Sequence, residues 1–325
     1  MSAIKEILVS PNINGACILK ITDDEGTYGL GAVYGYDLLK YDTAETSSLL
    51  KGRNVRDYSS SLDMVKELVR TKAVSSQAEF ISAVDTALFD LLSRSMGLPA
   101  LQLLGGSVRD SVRIAHDHAI KRHVPAPLIK VPFTGEPYFS REGLKDNLHI
   151  LEEAKEDSPS SGIIFTCDMG LDQEYMVRLI KGLRETGVRY IRLPLSLMSY
   201  DLLRRMKDLL NQEGIMLMLT ETGYTLLRAR EVISGRCCDI LRLSIPQCGG
   251  LSEVRKIASY SQINGVMIVP VGSDRSSMSF ALSNLNTPFI ESYDSAESIC
   301  FGSASGSAKE YEPCGGSAMK RISQV

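Results

Sequence analysis

Asp168 stands in the stretch TCDMG, directly behind the apolar run Ile163-Ile164-Phe165. An ionised acid at the end of a buried strand is costly unless a metal ion, a basic side chain or water faces it. Several other polar side chains sit in or just beyond apolar runs of the same kind. Lys130 lies within Leu128–Phe133, Arg192 within Tyr190–Leu195, and Glu221 just past Ile215–Thr220. Arg242 and Ser244 lie within Asp239–Ile245, and Glu291 within Pro288–Ser292. Charges of both signs at strand ends can form a divalent-cation site, an ion-pair network or an acid–base centre. His116 and His118, in AHDHAI, follow the run Val112–Ala115. Strand alternation puts both on one face with Asp117 opposite, a spacing open to acid–base work, to a metal, or to two plain surface histidines. Ser273, Asp274 and Arg275 form a polar loop that suits either a ligand or an ordinary turn.

Those side chains need elements to position them, and the chain supplies a repeat. Taking Ile164, Ile191, Met216, Ile240, Met267 and Phe289 as markers, successive apolar runs are 22 to 27 residues apart. That period fits one strand plus one helix. Between the runs, Met176, Leu179, Ile180 and Leu183 recur at helical spacing, as do Leu202, Leu203, Met206, Leu209 and Leu210. Ser199 is placed to cap the second of these helices, and Gly187 and Gly214 to stop them. With the two earlier runs the count reaches eight strands. The expectation is an α/β fold, a (β/α)8-type barrel with its site at the C-terminal strand ends; a doubly wound open sheet is the alternative. Upstream, Ala16–Ile21, an acidic glycine turn and Tyr28–Val33 read as a hairpin, followed by helices near Ser61–Thr71 and Ala78–Met96. The domains expected are an α+β cap over residues 1–105, the barrel over 106–300 and a Ser/Gly-rich tail over 301–325.

Composition narrows the function classes. A net charge of −3 on 325 residues offers no general attraction to nucleic acid or an anionic membrane. No apolar run approaches a membrane-spanning length, and MSAIKEILVS lacks a signal-peptide pattern. The seven cysteines contain no CxxC pair, which supports neither a disulfide framework nor a zinc site, so a cytoplasmic protein is expected. Gly249-Gly250 lacks the context of a phosphate loop.

Three stretches carry a resemblance to a known family. AVDTALFDLLSRSMGLPALQLLGGSVRD (83–110) strongly resembles the cap–barrel junction of the enolase superfamily, of the mandelate racemase and muconate-lactonizing type. ITDDEGTYGLGA (21–32) resembles that family's cap hairpin, and CGGLSEVRKIASYSQINGVMIVP (248–270) its sixth helix and following strand. The resemblance implies proton abstraction α to a carboxylate, with Mg2+ on three acids stabilising the enediolate.

Residue by residue, the match is incomplete. Asp168 matches the first metal ligand and Glu221 the third, but the middle acid, in a segment like WIEEP, is Arg192 in YIRLP. The second-strand KxK keeps only Lys130, and the sixth-strand position is Ser244. Val271 stands for the seventh-strand His, Ala32 for the cap acid, and Glu291 retains the eighth-strand acid. The cap's first strand looks shortened, and the return strand after Glu291 gives way to the tail.

The resemblance therefore implies a lyase or isomerase with a degenerate metal site. Lys130, Asp168, Arg192, Glu221 and Glu291 form the expected catalytic set, with Arg242, Ser244, His116 and His118 expected to contact substrate. A guanidinium is always charged and can pair two carboxylates, so Arg192 is expected to bridge Asp168 and Glu221 where Mg2+ would sit. One unit charge pair about 4 Å apart at an effective dielectric near 20 is worth roughly 4 kcal/mol. No cofactor is therefore expected, and Mg2+ on Asp168 and Glu221 is the alternative. The expected partner is a small carboxylate or carbonyl substrate, and the chain is expected to be a homo-oligomer. A non-catalytic barrel used for binding or scaffolding is the rival outside the enzyme class.

Overall fold

The computed structural model describes residues 2–13, 16–34, 43–70, 77–118, 126–134, 140–171, 173–221, 223–272 and 275–292. The loop positions Ser273 and Asp274 and the tail over 301–325 lie outside the described residues.

The N-terminal part is built around an antiparallel sheet of β1 (Ile4–Ile13), β2 (Ala16–Asp23) and β3 (Tyr28–Tyr34), in that order. The β2–β3 turn is fixed by Asp23, whose Oδ1 accepts from the amides of Glu25 and Thr27, while Gly26 takes the left-handed φ of 85°. The first strand runs ten residues and pairs along β2. Helices α1 (Thr43–Leu50), α2 (Tyr58–Arg70) and α3 (Gln77–Ser95) follow. Helix α3 lies directly on the sheet because Gly29 and Gly31 carry no side chain there. A Cβ on Gly31 would come within 1.9 Å of the Ala83 carbonyl oxygen. Leu19, Ile21, Phe80, Val84 and Leu88 fill this separate core.

The remainder is the barrel. After the short helix α4 (Ala100–Leu103) come β4 (Arg113–Asp117), β5 (Leu128–Pro132), α5 (Arg141–Asp157), β6 (Gly162–Thr166), α6 (Gln173–Gly182), β7 (Val188–Pro194) and α7 (Tyr200–Gln212). The chain continues through β8 (Met216–Thr220), α8 (Leu226–Ser234), β9 (Ile240–Leu243), α9 (Leu251–Ile263), β10 (Met267–Pro270), α10 (Arg275–Ser283) and β11 (Phe289–Glu291). The eight strands β4–β11 pair in parallel in the order β10-β9-β8-β7-β6-β5-β4-β11, and a parallel bridge from Val271 to Glu291 joins the two ends. That closure replaces the open-sheet alternative with a barrel. Local chemistry sets the helix ends: Ser199 accepts from the Leu202 amide, and Gly187 and Gly214 take φ values of 81° and 74°.

The cap is pinned to the barrel by Asp85 of α3. Its carboxylate accepts from the Ser252 amide at 2.8 Å, from Ser252 Oγ at 2.7 Å and from the Tyr58 hydroxyl. It sits at the N-terminus of α9, where the helix dipole favours an anion, and Gly250 makes room for it: a Cβ there would lie 2.3 Å from Asp85 Oδ2. Among the described residues, no helix is long and apolar enough to cross a membrane.

Candidate active site

Strand alternation decides which side chains enter the barrel. Ala115, Leu128, Ile164, Met218, Ile240, Val269 and Phe289 meet inside as an apolar plug, with Tyr190 packed against it. Two residues further along each strand, the next inward positions are Asp117, Lys130, Thr166, Arg192, Thr220, Arg242, Val271 and Glu291. Strand pairing sets Asp117 beside Lys130, Thr166 beside Arg192, Thr220 beside Arg242 and Val271 beside Glu291. The C-terminal mouth of the barrel thus begins with a charged ring laid directly on a hydrophobic floor.

Glu291 is the hub of that ring. It is fully buried, and its Oε2 accepts from Arg242 Nε at 2.7 Å and from Arg192 Nη1 at 3.4 Å. Arg242 also donates to Thr220 Oγ1 at 3.0 Å. Glu291 Oε1 and Arg192 Nε are buried with no hydrogen-bond partner among the described residues. Arg192 extends toward the mouth to Asp168, donating from Nη2 to Oδ1 at 3.1 Å and Oδ2 at 3.3 Å. Asp168 is again an inward position, but its side chain is 75% exposed against 12% for Arg192. Lys130 is buried and donates from Nζ to the Ser292 carbonyl at 3.2 Å. Ser244 follows Arg242 by two residues on the same side and is buried. Cys167, between two inward residues, faces the helices instead, and burial pushes its thiol up to about 11.

Two expectations change. Glu221 follows the inward Thr220 by one residue, so it turns away from the ring. Arg228 Nε of α8 holds it at 3.2 Å, and Arg192 bridges Asp168 to Glu291 rather than to Glu221. The histidines leave the mouth for the same reason. Ala115 is inside, so His116 and His118 point outward: His116 Nδ1 lies 3.5 Å from Ser292 Oγ, and His118 Nε2 lies 3.4 Å from Asp157 at the end of α5. Asp117 is the residue of that strand that enters the ring, and the two-residue period alone would have found it once Ala115 was known to face inward.

The donor set does not fit Mg2+, which favours near-octahedral oxygen ligation. The middle acid is a guanidinium already bonded to the first, and the third acid is bound elsewhere. Among the described residues, no group of three or more His, Cys, Asp or Glu side chains converges as a metal-ligand set.

A family model described as enolase C-terminal domain-like matches residues 113–292, more than half of the chain. The chain belongs to the enolase superfamily. Among similar solved structures is L-rhamnonate dehydratase from Gibberella zeae, with a TM-score of 0.73 at 24% identity, covering 86% of this chain and 73% of that one. A protein assigned as a galactarate dehydratase from Agrobacterium radiobacter, solved with sodium and L-malate, has a TM-score of 0.75 at 19% identity over 90% and 80%. One assigned as an L-alanine-DL-glutamate epimerase from Burkholderia xenovorans strain LB400, solved with magnesium and fumarate, has 0.73 at 16% over 95% and 87%. These likenesses show the fold, and the dehydratases and the epimerase among them are lyases and isomerases.

Proposed function

We propose that this enolase-superfamily chain removes a proton α to a carboxylate or carbonyl group of a small substrate, with Lys130 as base and no requirement for Mg2+. The observation that carries this reading is the inward layer itself. It sets a buried lysine in one ring with two guanidiniums that share a buried carboxylate. Arg192 and Arg242 take the substrate's anionic group, and the exposed Asp168 swings aside to free the fork of Arg192. As the proton passes to Lys130 Nζ, the C–H electron pair moves toward the carboxyl carbon and negative charge collects on its oxygens. Fixed cations in a water-poor site meet that charge without reorganising.

In an elimination, the pair then forms the Cα–Cβ double bond and expels the β-substituent, which takes a proton from the Lys130 ammonium. In a cyclisation, the enolate carbon instead attacks a carbonyl group within the same substrate, whose π bond breaks, and the resulting alkoxide takes the proton from the Lys130 ammonium. A single base on one wall favours these outcomes over racemisation, which needs a second base on the opposite face. Asp117, paired in register with Lys130, is the neighbouring acid on the same wall.

Substrate choice follows the neighbours: enzymes named for L-rhamnonate, galactarate and L-alanine-DL-glutamate, two of them solved with L-malate or fumarate. The test is a panel of such small acids in D2O, followed by proton NMR. Loss of an α-proton signal with the native chain, absent with a folded Lys130→Met variant, supports the reading. Exchange that survives in Lys130→Met removes the lysine from the mechanism.

A further inference from the structure

A second cation besides Arg192 engages an acid just past a strand end. Glu221 is one residue past the inward Thr220, and the Arg228 fork holds it from outside the ring. Arg228 Nε lies 3.2 Å from Glu221 Oε2, and Nη1 lies 3.2 Å from Glu231 Oε2 and also donates to the Tyr200 hydroxyl. The guanidinium lies 5.5 Å from the centre of the Tyr200 ring. Its backbone is fixed as well, because the N-cap Thr225 accepts from the Arg228 amide at 3.1 Å. Hydrogen bonds to Glu221 and Glu231 raise the pKa of Arg228 although burial opposes its charge.

We propose that two separate cations exclude divalent metal from this barrel, Arg192 by filling the ring and Arg228 by withdrawing Glu221, so that removing the first alone does not rebuild a metal centre. The physical basis is competition for one carboxylate. A Glu221 side chain that ligates a metal must first leave a charge-assisted bond, and Arg228 must then keep its place with one acid fewer. A carboxylate introduced at position 192 joins Asp168, but two acids leave much of an octahedral shell to water. This inference rests on the same site as the proposed reaction but not on its chemistry. It is read by metal affinity in variants, whereas the reaction is read by proton exchange in the native chain.

The experiment is a calorimetric titration of Mg2+ into R192E, R192E/R228Q and R192E/R228Q/E221Q. The expected result is weak binding by R192E, at least tenfold tighter binding by R192E/R228Q, and a return to the R192E affinity in the triple variant. Equal affinities for R192E and R192E/R228Q overturn the proposal. So does a triple variant that keeps the gain, since the effect is then loss of a positive charge rather than release of Glu221. Should R192E/R228Q fail to fold, a crystal structure of R192E soaked with Mn2+ decides. Glu221 still on Arg228 supports the two-cation lock, and Glu221 on the manganese refutes it.

Discussion

Glu291→Gln is the sharpest perturbation of the ring. The side chain is fully buried and accepts from two guanidiniums that are themselves only 12% and 21% exposed. The substitution keeps size and shape but removes the one negative charge between two cations, and its amide nitrogen takes the place of Oε1, buried without a partner. Removing one partner of a buried ion pair costs about 3–5 kcal/mol, because the remaining charge stays buried without compensation. The lower figure suits this site, since a glutamine oxygen in the Oε2 position can still accept from both guanidiniums and Arg192 keeps Asp168. A loss of about 3 kcal/mol corresponds to a fall of roughly 4 °C in melting temperature for a chain of this length. Asp168→Asn is the internal control: its side chain is 75% exposed, so its pair with Arg192 is worth about 0–1 kcal/mol. The assay is calorimetric unfolding of both variants at low and high salt. The Asp168 effect should shrink with salt and the Glu291 effect should persist. A Glu291→Gln protein that melts within 1 °C of the native chain, or an Asp168→Asn protein that loses as much, refutes a buried hub.

Two other outcomes follow from packing and burial. Gly31→Ala pushes a methyl group to within 1.9 Å of the Ala83 carbonyl oxygen, so it should destabilise by about 2–3 kcal/mol, and denaturant unfolding that matches the native curve would show that α3 can lift off the sheet. Cys17, Cys167, Cys237, Cys238 and Cys248 are buried, and burial raises the Cys167 thiol to about 11. Its thiolate is therefore scarce at pH 8, about one part in a thousand, and grows only as pH approaches that value. Peptide mapping after iodoacetamide at pH 8 should find these five unmodified in the folded chain, and rapid alkylation of Cys167 would contradict its placement.

The barrel was legible in the sequence because its signal is a period, and periods survive local error. The eight apolar runs match β4–β11 to within two residues at either end, and the Ser199 cap and the glycine stops at 187 and 214 form as expected. Lys130, Arg192, Arg242 and Glu291 were readable for the same reason, since each lies inside a run. What failed was parity at the strand ends. Both faces of a barrel strand are buried, so hydrophobicity does not say which face is inside. His116 and His118 were placed together correctly, yet on the outer side, and Asp117 was passed over. Glu221 was found by its motif, but its partner is set by the first turn of α8, seven residues later, which no strand pattern reveals. The first cap strand reads as short because Ser10, Pro11 and Asn12 favour turns, and pairing with β2 carries β1 on to Ile13.

The central claim is that Lys130 and the arginines perform the proton abstraction with no divalent ion in the ring. The measurement that tests it most directly is the rate of α-proton exchange in D2O for an acid the native chain accepts, first with excess EDTA and then with Mg2+ restored. The account predicts a rate unchanged within about twofold across both steps. A rate that collapses in EDTA and returns with Mg2+ would contradict it.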